Sequence, residues 1–189
     1  MYPVILTGGM VGLREFRADD ADAALAIVGD DDVTSWLSFD SRDRAQTIAM
    51  LTSTIDRARQ EPRSEYYLAV TLPEPDGLIG FARLGLDGDQ AAKLGYAIRR
   101  DQWGHGYATD AVRTLIEFGF RELKLHRISA AVGPNNAASI AMVTKLSLQY
   151  EGRIRDHVHT NGAWRDSLLY SVLAHDWTVT ATASKSIAG

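Results

Sequence analysis

The chain has no cysteine among its 189 residues. It can therefore form no disulfide and no thiolate metal site, and it cannot hold a transferred group on a cysteine nucleophile. If the protein moves an acyl group between two substrates, we expect the transfer to be direct.

Long apolar runs are also missing. The opening residues, Met1 to Gly9, lack the basic start and apolar stretch of a secretory signal. No later segment approaches the roughly 18 consecutive apolar residues that a membrane-spanning helix requires. We therefore expect a cytoplasmic protein without a membrane partner.

Basic residues do not outnumber acidic ones: 20 Lys and Arg stand against 24 Asp and Glu, for a formal net charge of -4. Nucleic-acid binding usually needs a broad basic face, so we expect no nucleic-acid partner. The mild acidity is compatible with a cationic substrate such as an amine. With 46% hydrophobic and 23% charged residues, the composition is that of a globular domain.

Hydrophobic periodicity predicts a single α/β domain over residues 1–177 and a small, polar tail over residues 178–189. Strands are predicted at 11–17, 66–72, 77–84, 92–98, 127–132, 150–160 and 164–173. Helices are predicted at 21–28, after a cap at Ser41 or Asp43, at 108–123 and at 136–146. The chain should form a sheet of six to seven strands flanked by about four helices.

The turns between residues 66 and 98 are short, which favours an antiparallel meander. The segment 92–132 reads strand, helix, strand, and such a unit places its two strands parallel in one sheet. The predicted sheet is therefore mixed and mostly antiparallel.

The segment from Trp103 to Ala108 contains two glycines, Gly104 and Gly106, and lies between a predicted strand and a predicted helix. Backbone N–H groups in the first turn of a helix have no partner within the helix, and they lie at the positive end of its dipole. Glycines let a ligand approach this backbone closely. The segment is therefore predicted to bind an anion.

Three other kinds of loop could place glycines between a strand and a helix. A dinucleotide fingerprint needs a third glycine, but Thr109 stands there, and an apparently antiparallel meander precedes it. A phosphate loop of nucleotide hydrolases needs Gly-Lys-Ser/Thr, which is absent. A glycine turn that only connects two elements remains an alternative.

With its flanks, the loop resembles the GNAT superfamily of N-acetyltransferases, whose signature Q/R-x-x-G-x-G/A occupies such a junction. Trp103 replaces the usual Gln or Arg, which is similar to the RimJ/RimL branch that acetylates the N-termini of ribosomal proteins. The resemblance spans about Leu13 to Trp177. It also rests on four flanking runs, at 94–98, 125–128, 134–139 and 164–166. Ser147 stands where relatives have the glycine that ends a helix.

The resemblance implies a GNAT-like fold whose central strands splay to form a cleft for acetyl-CoA, with no metal. Asn136 would hydrogen-bond the pantetheine. The other residues implied to bind the cofactor are the strand end and the glycine loop: Ala97, Ile98, Arg99, Trp103, Gly104, His105, Gly106, Tyr107, Ala108 and Thr109.

The expected catalytic groups are only partly present. Relatives often use a Tyr to protonate the leaving thiolate, but that place is Val143 here, so Ser139 is the candidate; the alternative is an ordinary serine in a first helical turn. The position that is commonly a Glu base is Lys93, so no carboxylate base is expected there.

Acceptor contacts are predicted at Trp36, His157 and Asp166. Trp36 resembles the segment that roofs the acceptor site, with core packing as the alternative. His157 shares a strand face with His159, either as an acceptor group or as a surface histidine; the two lack a third metal ligand. Asp166 could hold the substrate ammonium or form a charge pair at the strand edge.

The predicted activity is transfer of acetyl from acetyl-CoA to a primary amine, with a protein N-terminal α-amine as the favoured acceptor. The alternatives are a small amine, such as an amino acid, polyamine or aminoglycoside, and a non-catalytic acyl-CoA-binding module. Homodimers are frequent in families that this chain resembles, so a homodimer also remains open.

Overall fold

The computed structural model describes residues 1–73 and 77–177, and the predicted tail at 178–189 lies outside this range. Eight strands are described: β1 (Ile5–Thr7), β2 (Gly12–Glu15), β3 (Glu65–Thr71), β4 (Leu78–Leu86), β5 (Ala91–Ile98), β6 (Arg127–Val132), β7 (Gln149–Thr160) and β8 (Ala163–Leu173). The helices are α1 (Ala21–Val28), α2 (Asp31–Thr34), α3 (Arg44–Ala58), α4 (Tyr107–Arg121) and α5 (Ala137–Lys145). None of the described helices combines the length and the apolar character needed to cross a membrane.

The strands form one sheet in the order β1-β2-β3-β4-β5-β6-β8-β7. Among the described strands, only β5 and β6 pair in parallel, as the strand–helix–strand segment predicted. The mixed, mostly antiparallel sheet is confirmed, and it gains β1 beyond the predicted strands. Sequence periodicity could not find β1 because it is a three-residue edge strand whose Ile5 is 75% exposed.

The two faces of the sheet carry different helices. Helices α4 and α5 pack on one face through an apolar cluster that includes Leu115, Ile116 and Val143. Helices α1 and α3 cover the other face through a cluster that includes Ile27 and Leu51. Because successive strand residues point to opposite faces, the central strands contribute side chains to both clusters.

The parallel pairing between β5 and β6 stops early. It runs only from Ala91 opposite Arg127 to Leu94 opposite Ala130. Strand β5 continues to Ile98 while still paired with β4, and β6 continues to Val132. The two central strands therefore separate after Leu94, which is the predicted splay.

The carboxylate of Asp110, in the first turn of α4, holds the turn between β1 and β2. It accepts hydrogen bonds from the backbone N–H groups of Gly9, Met10 and Val11 at 3.2, 2.7 and 3.1 Å. A Cβ atom at Gly8 would lie 2.5 Å from this carboxylate, so only glycine fits there. The beginning of the chain is thus fixed against the beginning of α4.

Helix α5 ends on a residue in the left-handed conformation, as helices ended by glycine do. Ser147 has a φ of 62°, and its N–H donates to the carbonyl of Thr144 at 2.9 Å. The next N–H, of Leu148, donates to the carbonyl of Val143 at 3.0 Å. The turn therefore keeps its usual geometry although Ser147 carries a Cβ that disfavours it.

We expect Ser147→Gly to raise the free energy of unfolding by about 0.5–1 kcal/mol, because glycine adopts a positive φ without the Cβ penalty. Urea and thermal unfolding measure the change. Ser147→Ala is the control, since it removes the hydroxyl but keeps the Cβ, and it should not stabilise the protein. A glycine variant less stable than the alanine variant would contradict this account.

Candidate functional site

A cleft of about 440 Å³ opens where β5 and β6 separate. Its walls are the end of β5, the loop and first turn of α4, the first turns of α5 and the segment that follows α2. Nine residues predicted to bind the cofactor lie in these walls: Ala97, Ile98, Trp103, Gly104, Gly106, Tyr107, Ala108, Thr109 and Asn136.

The start of α4 is not capped by a side chain. Gly106 is the N-cap residue, with a φ of 85°, and Gly104 has a φ of 81°. By contrast, Asp43 caps α3 and Asn136 caps α5 through their side-chain oxygens. The N–H groups of the first turn of α4 therefore face the cleft without a side-chain acceptor, which is the arrangement that binds phosphate groups.

Trp103 fastens this loop to the end of β5. Its indole nitrogen donates a hydrogen bond to the carbonyl oxygen of Ile98 at 2.7 Å, and its side chain is 45% exposed beside the cleft. The tryptophan thus takes a structural part at the position where the family signature has Gln or Arg. Its exposed ring remains available to a ligand.

The edge of β5 presents backbone groups to the cleft. The N–H of Arg99 donates to the carbonyl of Ile79 on β4 at 2.7 Å. Neighbouring residues of an antiparallel strand direct their polar groups to opposite sides, so those of Ile98 point away from β4. The carbonyl of Ile98 is bound by Trp103, and its N–H is left facing the gap between β5 and β6.

Two residues predicted to bind the cofactor, Arg99 and His105, do not line the cleft. The side chain of Arg99 pairs with Asp101 at 2.6 Å, and its hydrogen bond lowers the pKa of that carboxyl. His105 is exposed and stacks on Tyr107 with 5.4 Å between the ring centres. Neither side chain reaches the cleft, because each is held at the protein surface.

Ser139 lies in the cleft wall and meets a residue that the sequence did not single out. The hydroxyl of Tyr96, on β5, donates a hydrogen bond to Ser139 Oγ at 2.7 Å. The N–H of Ser139 donates to Asn136 Oδ1 at 3.0 Å. Tyr96 could have been found from strand alternation, since it shares a face with Leu94 and Ile98 and so points toward the side of α4 and α5.

Burial raises the pKa of Tyr96, and the hydrogen bond to Ser139 only partly opposes this effect. The phenol is therefore protonated at neutral pH and can act only through its hydroxyl group. It supplies the cleft with a partly buried hydrogen-bond donor at the place where α5 meets β5.

Trp36 extends the cleft from the other side of the sheet. It lies in the segment after α2, is 43% exposed and lines the cleft. The guanidinium of Arg165, on β8, donates to the carbonyl oxygens of Ser35 and Leu37, which flank it. Strand β8 thus fixes the segment that carries Trp36.

His157 and Asp166 are not among the residues that line the cleft. His157 Nδ1 lies 2.9 Å from the hydroxyl of Ser167. Ser167 directly precedes Leu168, which pairs with Val132 at the end of β6. His157 therefore sits near the end of β6. Asp166 is bound by the N–H of Asp156 and the guanidinium of Arg153, and these bonds lower its pKa. The contacts of Asp166 fit the charge-pair alternative.

The positions that lack the expected catalytic groups also have structural explanations. Lys93 is exposed and pairs with Asp87 at 3.0 Å. Val143 is fully buried in the cluster beneath α5. Among residues 1–73 and 77–177, no cluster of three or more His, Asp or Glu side chains could hold a metal ion.

The family model for the acetyltransferase (GNAT) domain matches residues 11–149. The uncharacterized N-acetyltransferase p20 of Bacillus licheniformis is 30% identical over 170 residues, which cover 87% of this chain and 93% of the relative. The [ribosomal protein uS5]-alanine N-acetyltransferase of Escherichia coli is 30% identical over 118 residues, 61% of each chain.

A solved structure gives the same result for the fold. RimJ of Mycobacterium smegmatis, in complex with CoA-disulfide, is 26% identical and matches with a TM-score of 0.80. The match covers 92% of this chain and 89% of that chain. The resemblance therefore extends through nearly all the described residues.

We expect Gly106→Glu to weaken binding of coenzyme A by at least about 100-fold, because a carboxylate at the start of α4 repels phosphate and fills the space beside the N–H groups. Calorimetric titration measures the affinity. Gly88→Glu is the matched control: Gly88 also has a positive φ, of 66°, but lies in the turn between β4 and β5 with nothing within 4 Å of an added Cβ. If both variants bind coenzyme A equally well, the first turn of α4 is not the phosphate site.

Proposed function

This chain belongs to the GNAT family of acetyl-CoA-dependent N-acetyltransferases, and we propose that its acceptor is the α-amine of a protein N-terminus. The binding of acetyl-CoA is supported above all by the uncapped start of α4 at the mouth of the cleft. Similarity to the Escherichia coli uS5-alanine N-acetyltransferase supports a protein N-terminus as the acceptor.

The cleft fits the chemistry of acetyl-CoA. The pyrophosphate needs several N–H donors at one place, and the first turn of α4 after Gly106 offers them beside a positive helix dipole. The pantetheine arm carries amide groups, which suit the unpaired edge of β5 at Ile98 and the side chain of Asn136. When bound, acetyl-CoA supplies an activated acyl group as a thioester.

The residues of this chain have three tasks in acetyl transfer. A donor must polarise the thioester carbonyl, and the N–H of Ile98 faces the cleft for that purpose. A hydroxyl must stabilise the leaving sulfur, and Ser139 is the lining residue with that group beside Tyr96. The acceptor amine must lose its proton before it attacks, because most amines are protonated at neutral pH.

For the last task we propose His157 as the group that approaches the amine, either directly or through an ordered water. It lies beside the end of β6, and the hydroxyl of Ser167 orients its ring. Imidazole is the side chain whose ordinary pKa suits proton removal near neutral pH. Trp36 would contact the acceptor from the segment that follows α2.

The composition of the cleft favours an N-terminal α-amine over a polyamine. Polyamines carry several ammonium groups, which proteins usually bind with carboxylates. Within the part of the chain that the structure describes, no Asp or Glu lines the cleft. An acceptor that brings one amine at the end of a peptide needs fewer such contacts.

The acceptor is tested by thiol release from acetyl-CoA with a panel of amines. We expect release with peptides that have a free N-terminus, and none with the same peptides after N-terminal blocking, even when they contain an internal lysine. Release with polyamines, amino acids or aminoglycosides but with no peptide would replace the proposed acceptor. Tight acetyl-CoA binding without release for any amine would support the non-catalytic alternative.

We expect Ser139→Ala to lower kcat by about 10- to 100-fold and to change the affinity for acetyl-CoA much less, because the hydroxyl acts on the sulfur as it leaves. Steady-state kinetics and calorimetry separate the two effects. Ser147→Ala is the control, since Ser147 lies at the far end of α5. An unchanged kcat would remove Ser139 from the mechanism.

A further inference from the structure

Tyr96 and Ser139 reach the cleft from different elements and meet there. Tyr96 is on β5, Ser139 is in the first turn of α5, and both line the cleft. Their hydroxyl oxygens are 2.7 Å apart, with the phenol as the donor. The bond joins the two sides of the opening between β5 and β6.

The direction of this bond determines what Ser139 can do next. A serine hydroxyl has one proton to donate and two lone pairs that accept. Because Tyr96 donates to Ser139 Oγ, the proton of Ser139 must point to another acceptor. Burial raises the pKa of Tyr96, so the phenol keeps this donor role through the neutral pH range.

Four threonine hydroxyls in the helices direct their protons to the backbone. Thr34, Thr47, Thr52 and Thr114 each donate to the carbonyl oxygen four residues earlier, at 2.8 to 3.1 Å. Ser139 forms no such bond in the described structure; its backbone N–H is bonded to Asn136, and its oxygen is bonded to Tyr96. The proton of Ser139 is therefore left to donate to a group in the cleft.

We propose that Tyr96 is a positioning residue for acetyl transfer, which it serves by orienting the Ser139 hydroxyl so that its proton points to the departing sulfur. The inference rests on the proposed function and adds a residue to it. In the reaction a C–N bond forms and the C–S bond breaks, with the electron pair of that bond passing to sulfur. The proton that the amine nitrogen loses balances the one that the thiol gains.

The Tyr96 phenol contributes in a second way, because hydrogen bonds in a chain strengthen one another. A serine that accepts a bond from a phenol becomes a better donor to a thiolate. The pair should therefore lower the pKa of the thiol of bound coenzyme A, which is a property of the product complex and needs no turnover. A bond that only fastened α5 to β5 would leave this thiol unaffected.

The test compares Tyr96→Phe with the matched control Tyr66→Phe. Tyr66 belongs to the same apolar cluster as the buried part of β5, but it lies on β3 and does not line the cleft. We expect Tyr96→Phe to lower kcat by about 5- to 20-fold with less than about a 2-fold change in the KM for acetyl-CoA. The control should retain the kinetics of the unaltered protein.

Two further measurements separate positioning from a structural effect. In a Ser139→Ala background, Tyr96→Phe should cause no additional loss of kcat, because it acts through the missing hydroxyl. In the complex with coenzyme A, ultraviolet absorbance of the thiolate should show a higher thiol pKa in Tyr96→Phe than in the unaltered protein. Tyr96→Phe and Tyr66→Phe should both unfold at temperatures close to that of the unaltered protein.

The inference is overturned if Tyr96→Phe keeps both the kcat and the thiol pKa of the unaltered protein, or if its effect on kcat persists undiminished without Ser139. Those results would leave the proposed function intact, since acetyl transfer itself would still be observed. If instead no amine is acetylated, the proposed function fails, and the thiol pKa in the coenzyme A complex still decides whether Tyr96 orients Ser139.

Discussion

The structure depends on the early end of the pairing between β5 and β6. After Leu94 the two strands diverge, and the backbone edge of β5 up to Ile98 is left without a strand partner. Unpaired backbone groups inside a protein are costly unless other groups satisfy them. Trp103 satisfies the carbonyl of Ile98, and the cleft uses the remaining edge. The separation of the strands thus leaves backbone groups of β5 without partners and opens the cleft in which a ligand can bind to them.

Helices α4 and α5 each depart from a local preference at this gap. Asp43 and Asn136 cap their helices with side chains, whereas Gly106 begins α4 without one. The same contrast holds for hydroxyl groups, since Ser139 is directed to the cleft while four threonines in the helices bond to their own backbone. Proteins commonly depart from local preference where they bind ligands. Here the departures of α4 and α5 face each other across one opening.

Much of the fold followed from periodicity and turn residues. The limits of α1 and β6 agree with those predicted, and the parallel unit followed from the length of the connection. The glycine loop was found because its signal is local. The Tyr96–Ser139 bond was not, since it joins residues 43 positions apart whose meeting depends on how α5 packs on the sheet. The cofactor contacts predicted for Arg99 and His105 fall to their backbone groups, because their side chains turn to the surface.

The bond network of Asp110 has a consequence for the order in which the protein assembles. The turn at Gly9–Val11 is held by a carboxylate about a hundred positions later in the chain, and contacts of such high sequence separation form late. During synthesis the N-terminal residues emerge first but cannot dock until α4 has left the ribosome. The turn between β1 and β2 therefore reaches its anchored position only once α4 is present, and nascent chains that end before α4 would leave this turn open to proteolysis.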